Sequence, residues 1–85
     1  MRVKVMFITI MQRYSGQREI EMELTSDPAG AVEQITERLA IPWKDNLEKS
    51  TRIFINGENF ESFVKSGRSL SPNDTIAFIP ISSGG

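Results

Sequence analysis

The residues with the clearest chemical potential are the last six, Pro80-Ile81-Ser82-Ser83-Gly84-Gly85, which follow the strand-like run Thr75-Ile76-Ala77-Phe78-Ile79. Proline has no N–H to donate to a ladder, so a sheet built on that run is expected to end at Pro80. Six extended residues reach on the order of 20 Å at about 3.3–3.6 Å each. The tip offers a carboxylate on two residues without Cβ atoms, able to thread a slot that any side chain would block. Two terminal glycines arise by chance in roughly 0.5% of chains of average composition, which favours a working tip over a frayed end. The chemistry implied is that of an acyl group presented to another protein's active site, with residues 1–79 as the domain that carries it and 80–85 as the arm.

The rest of the composition narrows the alternatives. The chain has 85 residues, no histidine and no cysteine. Imidazole acid–base catalysis, thiolate attack and the usual zinc ligand sets are therefore excluded. Glycines at 16, 30, 57, 67, 84 and 85 match neither the phosphate-loop nor the dinucleotide spacing. The carboxylates Asp45, Glu48, Glu58 and Glu61 show no paired spacing and read as solvated surface groups. Ten basic and eleven acidic residues are mixed along the chain, giving a net charge of -1; a nucleic-acid binder would carry a basic excess or stripe. No apolar run reaches membrane-spanning length, and Met1-Arg2-Val3-Lys4-Val5 lacks a secretory pattern. A cytoplasmic protein that binds neither nucleic acid nor membrane is the expectation.

The elements that must position the arm can be read in order. Residues 2–10 form a strand-like run, with Val3, Val5 and Phe7 on one face and Lys4, Met6 and Ile8 on the other. Tyr14-Ser15-Gly16-Gln17 is turn chemistry. The strict alternation of 19–24 puts Ile20, Met22 and Leu24 inward, and the short connection predicts an antiparallel hairpin with the first strand. Asp27-Pro28 marks a helix start, N-cap followed by proline at the first helical position. Val32, Ile35 and Leu39 recur at helical spacing, and Ile41-Pro42 is expected to end the helix. Trp43 to Ser50 reads as an irregular connection containing one helical turn, with Trp43 as a lid over the core edge. Arg52-Ile53-Phe54-Ile55 is a strand, Asn56-Gly57 a strong hairpin signal, and Glu58 to Phe63 a short returning strand or turn. Ser66-Gly67 and Ser71-Pro72-Asn73-Asp74 are turns, Asn73 being suited to a left-handed conformation. The fold class that follows is α+β: a mixed sheet of four to five strands covered on one face by one main helix, with the first and last strands as parallel central neighbours.

The Asn56-Gly57 turn, the run Pro72-Asn73-Asp74-Thr75-Ile76-Ala77-Phe78-Ile79-Pro80 and the closing Gly84-Gly85 resemble the ubiquitin-like β-grasp sulfur carriers. Within them the chain is most similar to the molybdopterin synthase small-subunit subfamily. The resemblance implies that a ubiquitin-activating-type enzyme spends ATP to adenylate Gly85, and that sulfur displaces AMP to leave a thiocarboxylate. It implies no cofactor bound by the chain itself. It also implies that the arm enters the large subunit of the synthase, where sulfur passes to a pterin precursor. Gly84 lets the tip pass, and Pro80 and Ile81 form the root, Ile81 standing where the family usually has a second proline. Ile8 and Ile79, placed by alternation on the uncovered face, are candidate docking residues, and Phe60 joins them by matching an apolar family position. Other roles compatible with the same pattern are a thiamine-pathway sulfur carrier, a ubiquitin-like protein modifier and a plain binding module with an idle tail.

Overall fold

A computed structural model of the chain describes residues 1–45 and 47–81. Its framework is a five-stranded sheet in the order β2-β1-β5-β3-β4, built from β1 (Arg2–Phe7), β2 (Glu19–Glu23), β3 (Thr51–Ile55), β4 (Glu58–Asn59) and β5 (Thr75–Pro80). β1 and β5 run parallel at the centre, and the other pairings are antiparallel. The register aligns Val5 with Ile76 and Phe7 with Phe78, and then Ile53 with Phe78 and Ile55 with Ile76. One face of the sheet is thus a continuous apolar layer, and α2 (Pro28–Arg38) covers it with Ala31, Val32 and Ile35. This is the expected β-grasp arrangement.

The helix begins as its sequence dictates. Asp27 is the N-cap, its carboxylate accepting the Gly30 N–H at 2.8 Å, with Pro28 at the first helical position. Its end lies earlier than the Ile41-Pro42 boundary. Ala40 takes a left-handed conformation, φ 52°; its N–H donates to the Glu37 carbonyl at 3.2 Å and that of Ile41 to the Thr36 carbonyl at 2.9 Å. These two bonds make a Schellman cap, normally closed by glycine because a Cβ costs about 1–2 kcal/mol in this region. Ala40→Gly is therefore expected to stabilise the domain, by about 0.5–1 kcal/mol once the greater freedom of glycine in the unfolded chain is subtracted. A urea melt checks it, and an unchanged or lowered midpoint would show that the cap carries no strain.

Two short helices depart from the sequence reading. The first strand does not continue to Ile10. Thr9 turns to φ 48°, and three bonds, Met11 to Ile8, Gln12 to Thr9 and Arg13 to Ile10, wind the chain into α1 (Met11–Ser15). The turn carries Met11 into the core at 0% exposure and ends on left-handed Gly16. The β1/β2 pairing is antiparallel as expected, but its connection is this helix rather than a tight hairpin. Beyond the β3–β4 turn, where Asn56 and Gly57 both have positive φ as a type I′ turn requires, only two residues return as strand. Asn59 then caps α4 (Phe60–Lys65) by accepting the Glu61 N–H at 2.8 Å, and Phe63 is buried beneath it. The connection after α2 forms a 3₁₀ turn, Trp43–Asp45, and α3 (Leu47–Ser50). Trp43 meets Phe78 in a T-shaped contact at 5.4 Å, which makes it the lid the sequence suggests.

Candidate functional site

The root of the C-terminal segment is set by the end of β5. The Phe78 carbonyl faces β1, accepting the Ile8 N–H at 3.1 Å. Alternation therefore points the nitrogen of Pro80 to the same side, where β1 has already stopped at Phe7. Its missing donor leaves nothing unpaired, and the strand runs through Pro80, opposite Thr51, one residue further than expected. The Ile81 N–H donates to the Ser50 carbonyl at 2.8 Å. Ile81 is thus tied at its backbone while its side chain is exposed. Gly84 and Gly85, the residues expected to do the chemistry, lie outside the described residues.

The face of the sheet opposite α2 is the other part of the site. Cross-strand pairing brings Met6 beside Ala77, and Ala77 beside Phe54 and Ile79 beside Arg52. Ile8, with Met6 and Glu19, lines a shallow recess at the same end. Met6, Ile8, Phe54, Ala77 and Ile79 are all half-buried with no helix over them, so the open face carries an apolar strip leading to the root of the segment. The sequence singled out Ile8 and Ile79 here, and the structure places them as alternation required. It missed Phe54 and Ala77, whose position between core residues in β3 and β5 was itself the available signal: in a strand the intervening residue faces the other way. Phe60 does not belong to this strip. It begins α4, packs against the core and lines a cleft on the helical side with Val32, Trp43 and Ile53.

Charge borders the strip on one side. Lys4 pairs with Glu19 at 3.7 Å and Arg2 with Glu21 at 3.7 Å, across the β1–β2 register. These exposed ion pairs contribute little to stability but leave that edge close to neutral. Among the described residues no group of carboxylates could hold a metal ion, and no helix is long and apolar enough to cross a membrane. What the arrangement can do is dock, through an apolar strip that runs to Ile79 beside the last described residues.

Comparison with known proteins identifies the relationship. The model of the ThiS family matches residues 5–85, nearly the whole chain and including the terminal glycines. The chain belongs to the ThiS family. No curated protein matches it. Among solved structures it is similar to the small archaeal modifier protein 1 of Methanosarcina acetivorans, with a TM-score of 0.75 and 23% identity over 99% of this chain and 96% of that one. It is similar also to the small archaeal modifier protein 1 of Haloferax volcanii, with a TM-score of 0.77 and 15% identity over the full length of both. A protein designated as molybdopterin converting factor subunit 1 from Pyrococcus furiosus gives a TM-score of 0.71 and 19% identity over 95% of this chain and 98% of that one. At these identities the likeness is one of fold, and with the family match it establishes a ubiquitin-like, sulfur-carrier-type β-grasp domain.

Proposed function

We propose that this ThiS-family chain is a sulfur carrier whose Gly85 carboxylate is the working group, acting as the small subunit of a molybdopterin synthase. The observation that carries the reading is the family match running through Gly84-Gly85, on a fold whose apolar open face runs to Ile79 at the end of the last strand. An ionised carboxylate is a poor electrophile. A ubiquitin-activating-type enzyme would join it to AMP at the expense of ATP, releasing pyrophosphate. A sulfur nucleophile would then displace AMP, leaving the thiocarboxylate. The large synthase subunit would receive the segment and catalyse sulfur transfer to a pterin precursor. This chain's residues supply the reacting carboxylate, the small residues around it and the docking strip, with no cofactor of its own.

Intact-mass measurement after incubation with ATP, sulfide and a cognate activating enzyme tests the reading. A mass gain equal to exchange of one oxygen for sulfur supports it, and an unchanged mass overturns it. The two archaeal modifiers share the fold over nearly their whole length, which favours a second reading as a protein modifier. Conjugates to lysines at higher mass would establish that use of the same activated carboxylate.

The open strip makes a separate prediction. Ile79→Lys places a second cation opposite Arg52, which has no carboxylate partner among the described residues. In the free domain this is expected to cost under about 1 kcal/mol, the scale of a like-charge cross-strand pair. In a complex that buries the strip it leaves a desolvated charge, so affinity for the activating enzyme or large subunit should fall at least tenfold. Calorimetric titration of the folded variant checks it; unchanged affinity would remove the strip from the interface.

A further inference from the structure

A cleft of about 840 Å³ opens on the helical side of the sheet, its lining reaching Arg52 at the border of the open strip. Its floor is apolar: Val32, Ile41 and Ile53 are buried, and Trp43 and Phe60 are half-buried. Its lining also includes Glu33 and Glu37 from α2, Asp45 and Glu48 from the segment after it, and Glu61 from α4. All five are exposed. Against these five carboxylates stand two cations, Lys44 and Arg52, although the whole chain carries ten basic residues to eleven acidic ones. The negative charge is therefore concentrated at this cleft rather than spread. Glu19, Glu21, Glu23 and Glu58 each have an ion-pair partner, whereas none of the five cleft carboxylates has one among the described residues. Glu33 and Glu37 also stand four apart on one helix face, a like-charge spacing that destabilises the free helix by about 0.2–0.5 kcal/mol.

We infer that this cleft is a docking site for a lysine- or arginine-rich amphipathic segment of another protein, its apolar residues on the Trp43–Phe60 floor and its cations among the five carboxylates. Charge selects the occupant. An apolar floor ringed by unpaired carboxylates suits a cationic chain with aliphatic or aromatic anchors, and a cation can also sit over the indole face of Trp43. The same field repels phosphate backbones, anionic lipid surfaces and acidic peptides. It equally disfavours the chain's own terminal carboxylate. The inference does not depend on the sulfur-carrier reading.

The test uses the full chain and a synthetic helical peptide of leucine and lysine in amphipathic spacing, with a second peptide carrying glutamate at every lysine position. Trp43 is the only tryptophan, so its emission reports on the cleft, and amide chemical shifts map the contact. The expected result is saturable binding of the lysine peptide that weakens several-fold as salt is raised, with shifts confined to α2, the Trp43–Asp45 turn and α4. Glu33→Gln with Glu37→Gln should weaken binding at least about fivefold while leaving the thermal midpoint unchanged or raised. Glu48→Lys, on a different element, should act in the same direction. Equal binding of the glutamate peptide, shifts centred on Met6 and Ile79, no saturation, or variants that are folded and bind normally would each overturn the proposal.

Discussion

Deleting Gly85 is expected to leave a folded domain that gains no sulfur when incubated with ATP, sulfide and the activating enzyme. The packing argument comes first. Among the described residues the fully buried side chains end with Phe78, and the last described backbone bond joins Ile81 to Ser50. Removing the final residue touches neither, so stability should stay within about 0.5 kcal/mol of the parent, as for surface changes away from caps and cores. The carboxylate, by contrast, is withdrawn by one residue, about 3.5 Å along an extended chain. Misplacement by about 1 Å can already cost on the order of 100-fold in a reaction that depends on alignment, so the adenylation rate should fall below detection. Gly85→Ala keeps the carboxylate in place and adds a single Cβ; it should be impaired by less than the deletion, to the degree that the receiving slot is narrow. Intact mass and ATP–pyrophosphate exchange read both variants. A shortened chain that takes up sulfur at the parent rate would sink the assignment of Gly85, whatever its fold.

How far the sequence carried this depends on where each signal is stored. Asp27-Pro28 and Asn56-Gly57 encode their cap and turn in adjacent residues, because the required dihedrals are local, and the structure realises both. Asn73, expected in the left-handed region, has φ 72°. The parallel pairing of β1 with β5 was legible because β5 is apolar on both faces and the first strand-like run becomes so toward its end, at Met6, Phe7 and Ile8, as central strands tend to be. The helix α1 was not. Its five residues are too few to show a helical period, and the apolar Ile8, Ile10 and Met11 extend a strand-like run. What decides the matter is tertiary, the burial of Met11, and local pattern does not hold it. Phe60 was misplaced for a similar reason. Its apolar character is local, whereas the face it joins follows from Asn59 starting a helix after two strand residues. The cleft was invisible altogether: Asp45, Glu48 and Glu61 are scattered in sequence, and only the fold gathers them with Glu33 and Glu37 around one cleft.

Phe78→Ala is expected to have the largest effect of any single change on folding. Phe78 has 0% exposure and lies on a central strand. It stacks on Phe7 with ring centroids 5.4 Å apart and meets Trp43 in a T-shaped contact at the same distance. It is also the register partner of Ile53, so its ring joins three strands and the segment after α2. Truncation loses the transfer free energy of the ring and leaves a cavity that strands fixed on both sides cannot close, a cost of about 3–5 kcal/mol. A domain of this size has on the order of 4–13 kcal/mol to lose. The thermal midpoint should drop by at least roughly 12 °C, at about 4–8 °C per kcal/mol. Trp43 supplies a second readout: without the Phe78 ring against it, native emission should shift to the red before global unfolding. Phe78→Leu, which keeps most of the volume, should cost much less, nearer the 1.5 kcal/mol typical of tolerated core swaps. The comparison with Ile79→Lys is the decisive one, since the two positions are adjacent and face opposite sides of the sheet. Damage to stability at Phe78 with binding retained by the folded fraction, and damage to binding at Ile79 with stability retained, would separate the face that holds the domain together from the face it presents. Equal destabilisation at both positions would mean that the open strip is part of the core.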